Sequence, residues 1–310
     1  MDNAVKLWEI PTAKDIYMIA GWNQWADAGS ISSGLPLYLI DTLDARQIGE
    51  IQHGDFYLFQ VPGTHHLLRP EVELEEGYRV KLRQPSNEIY YTGDEEKGLV
   101  IFTGEEPHLN MDRYAEAFLD IAGELNIKRI VTLGGVYGMM PYNRDREVSC
   151  VYSLPRLKPE LEKYAVKFSN YEGGATIGVC IADRAEKRDV ELADFYVFVP
   201  AYDFTQFTSQ IQGIRVEQDF RAWYEMMRRF NHMFGLGLDL SDLEQHSNAL
   251  SEQIDVEVDE MTAKLGDFNV REFMEKLDTE YTELPFMPMD DVWAQELDDI
   301  LDGLEGFDDQ

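Results

Sequence analysis

Two short, uniformly apolar runs with a helical segment between them restrict the fold more than anything else in this chain. Leu99-Val100-Ile101-Phe102 and Ile130-Val131-Thr132-Leu133 lack the polar alternation of a strand with one wet face, so both are expected to be strands buried on two faces. Between them Tyr114, Phe118, Ile121 and Leu125 recur at helical spacing after Pro107, and Asn126 suits the left-handed residue that ends a helix. A strand–helix–strand unit implies parallel strands joined by a right-handed crossover, here expected to be neighbours.

An earlier segment has the same character. In Ile16-Tyr17-Met18-Ile19-Ala20-Gly21-Trp22 the residues Tyr17–Ala20 read as a strand ending at a glycine, the polar stretch from Asn23 to Gly29 as a loop, and 30–43 as a helix for which Asp27 supplies the cap. In open α/β sheets the crevice at such a carboxyl end is where ligands usually sit. Further strand candidates are 46–51, 56–59, 150–153, 175–181 and 195–199, and 93–98 reads as a turn after Ile89-Tyr90-Tyr91.

Past Pro200 the periodicity is helical throughout. Val216, Phe220, Trp223, Met227, Phe230 and Phe234 share one stripe. Leu243, Leu250, Ile254, Val258, Met261 and Leu265 form a second, stopped by Gly266. Asn269 with Glu272 has capping-box spacing for a third helix carrying Val270, Phe273, Met274 and Leu277. The first stripe is wide enough to predict self-association, unless helix 243–265 covers it within one chain. Leu284-Pro285-Phe286-Met287-Pro288-Met289 reads as an extended strap. Trp293, Leu297, Ile300, Leu301 and Leu304 mark a docked helix over 291–304 with an acidic outer face. The expected division is an α/β core over 1–205, a helical appendage over 206–283, and the strap with its acidic helix over 284–310.

Charge excludes one class of partner. The net charge is -32, and from Asp239 onward 23 acidic residues face three basic ones. Such a surface repels phosphate backbones, so nucleic acid is not an expected partner. No run approaches eighteen apolar residues, and the N-terminus has no basic-then-apolar pattern, so neither membrane span nor signal peptide is expected and the protein is placed in the cytoplasm. Cys150 and Cys180 lie in apolar runs and read as small buried hydrophobes.

Nucleotide and hydrolase signatures are missing. No Walker-type loop and no Gly-x-Ser-x-Gly elbow occurs, and Gly173-Gly174-Ala175-Thr176-Ile177-Gly178 does not fit dinucleotide spacing. His65-His66 is the one histidine cluster, and neighbours in an extended segment point apart, so no metal site is expected. No catalytic residue and no cofactor is expected either. What remains is a set of loops at the predicted carboxyl edge, with Asp27, Gly29, Glu106, Gly134, Arg144, Tyr171, Glu172 and Tyr202 as candidate ligand-binding residues. One reading assembles a polar pocket from the Asp27 and Glu106 carboxylates, the Arg144 guanidinium and the Tyr202 phenol. The other has Asp27 and Glu106 capping helices, Arg144 paired with one of them, and the glycines permitting turns.

These loops also carry a resemblance. Gly-Trp-x4-Asp-Ala-Gly from Gly21, Arg69-Pro70, Gly-x-Glu-Pro at 104–107, Pro-x-x-Arg at 141–144, Tyr-Glu-Gly at 171–173 and Val-Pro-x-Tyr at 199–202 occur in the order seen in the PAC2 family, the proteasome assembly chaperone 2-like proteins. Asn269 to Asp278 and Glu296 to Leu301 resemble the helical tail of its bacterial branch. The resemblance implies a three-layer α/β/α sandwich with a mostly parallel sheet, like that of nucleoside phosphorylases, plus a C-terminal helical appendage and self-association, a trimer included. Two histidines of the family pattern are replaced, by Tyr142 and Ala201, and the chain ends Asp308-Asp309-Gln310 instead of hydrophobic-Tyr-x, so that route to a proteasome is not expected. Two functions follow. The first is a non-catalytic assembly chaperone or scaffold acting through contacts with a protein partner yet to be identified. The alternative is an enzyme acting on a nucleoside-like or carboxylate ligand in the loop pocket.

Overall fold

The computed structural model describes residues 4–52, 54–60, 68–204, 213–264 and 270–286. In chain order the elements are β1 (Val5–Leu7), β2 (Asp15–Asn23), α1 (Gly34–Thr42), β3 (Arg46–Ile51), β4 (Glu71–Glu75), β5 (Tyr78–Arg83), β6 (Asn87–Gly93), β7 (Lys97–Glu105), α2 (Met111–Glu124), β8 (Ile127–Gly138), β9 (Val148–Tyr152), α3 (Lys158–Leu161), β10 (Lys167–Phe168), α4 (Ile177–Lys187), β11 (Leu192–Tyr202), β12 (Ile214–Arg215), α5 (Phe220–Phe234), α6 (Ser241–Lys264) and α7 (Val270–Glu280). Ten strands form one sheet in the order β1-β3-β6-β7-β2-β8-β11-β9-β10, with β12 pairing β11. Its centre, β7-β2-β8-β11, is parallel, and antiparallel strands flank it.

Alternation in the central strands divides the core into two layers. Met18, Ala20 and Trp22 of β2 point with Val100 and Phe102 of β7 toward α2 and α4. Ile19, Leu99, Ile101, Val131 and Leu133 point the other way, into a cluster that runs on into α1, α5, α6 and α7. These are the three layers of an α/β/α sandwich. In α2 the residues Tyr114, Phe118, Ile121 and Leu125 are all buried, and Asn126 takes the left-handed φ of 51° just beyond the helix.

Several local expectations are corrected. The strands holding Leu99–Thr103 and 129–133 are parallel but are not neighbours, because β2 lies between them and pairs with both. The α2 crossover therefore steps over one strand, β2. Residues 175–181 form the start of α4, where the Thr176 hydroxyl accepts from Val179 N, rather than a strand. Residues 56–59 are a loop; the Phe56 carbonyl accepts from His108 N and Leu109 N at 2.8 and 3.0 Å, and its ring is buried. The apolar stripe of α5 is covered by this chain itself: Val216, Trp223, Met227, Phe230 and Phe234 are buried, in one cluster with Leu243, Ile254 and Val258. It is thus no argument for self-association. Leu265, Gly266, Asn269 and the helix over 291–304 lie outside the described residues, as does the strap beyond Phe286.

No helix among the described residues is long and apolar enough to cross a membrane.

Candidate functional site

The carboxyl ends of β2, β7, β8 and β11 meet along one edge, and the loop from β2 to α1 lies flat across it. Two glycines make that possible. A Cβ on Gly21 would stand 1.9 Å from the Ser32 carbonyl oxygen, and one on Gly135 2.0 Å from that of Ala28. Gly135 N donates to the Ala26 carbonyl at 2.8 Å, so the loop is stitched to the sheet as well as resting on it.

Asp27 holds this loop in shape. Its Oδ1 accepts from Ser32 N at 2.8 Å and Ser33 N at 3.0 Å, and its Oδ2 accepts from the Ser33 hydroxyl at 2.6 Å. It acts as the expected cap, but on the turn before α1 instead of at the helix's own first position. Burial pushes its carboxyl above the usual range, against the opposing effect of the Ser33 hydroxyl and the two backbone N–H groups. Glu106 is likewise engaged: Oε2 accepts from Trp25 N at 3.3 Å and Oε1 from Ile177 N at 3.2 Å. It joins the β2 loop to the first turn of α4, where the helix dipole favours an anion.

Beside these groups opens a cleft of 260 Å³ lined by Asn23, Gln24, Trp25, Glu105, Glu106, Pro107 and His108. Glu105 is half-buried there, and burial raises its carboxyl above the usual range. Below the edge, Asp194 of β11 is fully enclosed, accepting from the Thr132 hydroxyl at 2.7 Å and the Tyr196 hydroxyl at 2.6 Å. Burial pushes its carboxyl up to about 6. Gly178 of α4 leaves room for it; a Cβ there would meet Oδ2 at 2.5 Å.

The other candidate residues do not join Asp27 and Glu106. Arg144 turns away to α7, where Nε binds Asp278 Oδ1 at 2.6 Å and Nη2 binds Oδ2 at 3.0 Å. Tyr202 is buried and its hydroxyl donates to the Met140 carbonyl at 2.5 Å. Gly134 lies within β8, under the Tyr196 ring, and Gly29 supplies the carbonyl that accepts from Asp219 N and Trp223 Nε1. Tyr171 and Glu172 are exposed in the segment before α4. The pocket of two carboxylates, a guanidinium and a phenol is therefore not assembled by these four side chains.

A residue not singled out from the sequence occupies the central place. Arg146, two positions beyond Arg144, binds Asp219 through Nε–Oδ2 at 2.7 Å and Nη2–Oδ1 at 3.3 Å, and its Nη1 donates to the Tyr142 and Arg144 carbonyls at 3.0 Å. Asp219 also accepts from Ala222 N at the start of α5. This pair ties the β8–β9 loop to the helical layer. An Arg-x-Arg spacing after a glycine-rich strand was the available signal, but burial alone distinguishes the two arginines. For Asp194 the signal was an acid inside an apolar run.

At the rim, Trp25, Met139 and Tyr171 are 70%, 65% and 67% exposed, and Val136 is 38% exposed. Among the described residues no group of three or more His, Cys, Asp or Glu side chains is placed to hold a metal ion.

The fold is shared with solved structures. A PAC2 family protein from Streptomyces avermitilis superposes with a TM-score of 0.65 at 24% identity, over 81% of this chain and 99% of that one. A proteasome-assembly chaperone homologue from Mycobacterium tuberculosis gives 0.64 at 20% identity, over 77% and 94%. An archaeal proteasome activator from Pyrococcus furiosus gives 0.56 at 19%, over 81% and 96%. No curated protein matches the chain. The PAC2 family model matches residues 21–258, well over half the length, and the chain belongs to the PAC2 family.

Proposed function

We propose that this protein is an assembly chaperone or scaffold that meets a protein partner at the carboxyl edge of its sheet. The observation that carries this reading is the rim itself: Trp25, Met139 and Tyr171 stand in water around a loop whose polar groups are committed to one another. Leaving one large apolar side chain exposed forgoes about 1.5–3 kcal/mol of burial, and such patches rimmed by polar groups mark interaction surfaces. Proteins of the same fold that are a proteasome-assembly chaperone homologue and a proteasome activator support a role directed at another protein.

The cleft beside Glu106 favours a small ligand less. Glu105 and Glu106 both line it, so a phosphate or carboxylate ligand would meet two like charges. Capture experiments separate the readings. Wild-type protein and a Trp25→Ser/Met139→Ser variant, immobilised and exposed to native lysate, should differ at least tenfold in one recovered partner while their melting temperatures agree. Equal recovery by both would remove the rim as the contact surface.

A further inference from the structure

We propose that the cleft beside Trp25 receives an arginine side chain of the protein partner, with its guanidinium against the indole and within reach of the Glu105 and Glu106 carboxylates. This rests on the reading that the carboxyl edge meets a protein, and it names the chemistry recognised there. The residues lining the 260 Å³ cleft include two carboxylates and neither lysine nor arginine. Elsewhere in the chain, carboxylates that leave the surface meet a guanidinium. Asp145 meets Arg221 at 3.1 Å, Glu191 meets Arg129 at 2.8 Å, and Glu225 meets Arg229 at 2.7 Å. Among the described residues Glu105 and Glu106 have no such partner. Glu105 interacts with the Asn23 side chain, and Glu106 accepts from the Trp25 and Ile177 backbone N–H groups, all of them uncharged. Two half-buried carboxylates next to each other disfavour their own ionisation, and a cation between them removes that penalty.

Acidity alone would suit any cation; two further groups narrow the ligand. The Trp25 indole, 70% exposed, forms part of the cleft wall, and an indole face attracts a cation laid over it. Gln24, also in the wall, donates through Nε2 to the Ser32 hydroxyl oxygen at 2.8 Å and to the Leu133 carbonyl at 2.9 Å. A carbonyl accepts and never donates, so this fixes which end of the amide is nitrogen. The amide oxygen is buried and accepts from no donor. Buried acceptors are nearly always satisfied, so this one calls for a donor from outside the chain. A guanidinium supplies five donors in a flat fork, enough for both carboxylates and the amide oxygen, and its plane stacks on an indole. A lysine ammonium is more strongly hydrated and cannot stack. A divalent metal finds no set of three ligating side chains among the described residues. The net charge of -32 draws a basic partner surface toward the edge from a distance.

Titration of the full chain with N-acetyl-arginine amide, whose guanidinium is its one charge, tests the proposal. The readout is the Trp25 indole N–H signal of protein labelled with nitrogen-15, assigned by its loss in Trp25→Phe. The signal should shift saturably with the arginine compound, more weakly with N-acetyl-lysine amide, and not at all with the uncharged N-acetyl-citrulline amide. Glu105→Gln should weaken arginine binding at least tenfold at an unchanged melting temperature, and Glu105→Asp should recover part of it. A shift with citrulline equal to that with arginine, or no saturable shift, overturns the proposal on the unaltered chain, whatever the variants do. Undiminished binding by Glu105→Gln overturns it as well. The source of the guanidinium is read by adding the arginine compound during capture from native lysate, which should lower recovery of the partner by wild type. Recovery that neither the compound nor Glu105→Gln reduces, while Trp25→Ser/Met139→Ser still abolishes it, defeats this inference and leaves the rim reading intact. Absence of any partner on wild type, with the arginine shift present, defeats the rim reading and leaves the guanidinium preference of the cleft standing.

Discussion

Arg146 and Asp219 form a two-point ion pair in which neither side chain reaches solvent. The arginine comes from the loop after β8 and the aspartate from the residue before α5, so the pair joins the sheet's carboxyl edge to the helical layer. Three carbonyls of the loop, those of Pro141, Tyr142 and Arg144, take up the remaining guanidinium end. A buried charge so fully satisfied fixes one arrangement of the loop, and with it the position of Met139 at the rim.

Removing one partner leaves the other charged and dry. Arg146→Met and Asp219→Ala should each lower unfolding free energy by about 3–5 kcal/mol. The double variant should lose less than the two single losses combined, since both break the same contact. Chemical denaturation of the three proteins checks this.

Asp27 shapes the loop without being expected to touch a partner. Loss of its three hydrogen bonds in Asp27→Ala should cost about 1–2 kcal/mol, the range of a helix-start aspartate. A thermal melt together with partner recovery is the check. A variant that melts like wild type yet loses the partner would make Asp27 a contact residue.

Asp194 makes stability depend on pH in a stated direction. Its folded-state pKa lies at about 6, above the ordinary value of 3.8, so the folded protein takes up a proton where the unfolded chain does not. The contribution of this group is therefore present at low pH and falls as pH rises from about 4 through 6. Asp194→Asn, which cannot ionise, should gain on wild type by ~1–3 kcal/mol across that window. Denaturation of both proteins at its two ends measures the gain, and an unchanged difference would contradict the assignment.

The parallel core was legible in the sequence because strands buried on both faces read as nearly continuous apolar runs. Their order was not. Pattern identifies β7, α2 and β8, but nothing local tells a crossover to skip β2. Residues 175–181 misled because a short apolar run suits a buried strand and a helix start equally. The β4–β5 hairpin was missed since Glu76-Gly77 is a weaker turn signal than Asn-Gly, and its apolar face has no core beneath it. At the site, Asp27 stands at the turn into α1, but its hydrogen bonds hold Ser32 and Ser33 ahead of the helix and not the helix's first turn, a difference that spacing alone does not specify. Arg144 and Arg146 are alike in sequence; only the depth of the β8–β9 loop separates an α7 contact from the buried pair.

The central claim is that the carboxyl edge receives a protein, and the most direct test is photocrosslinking in the native cell. A photoreactive phenylalanine analogue at position 25 should produce a discrete crosslinked species with one partner. The same analogue at exposed position 124, at the opposite end of the sheet, should not. Crosslinks from position 124 with none from position 25 would contradict the account.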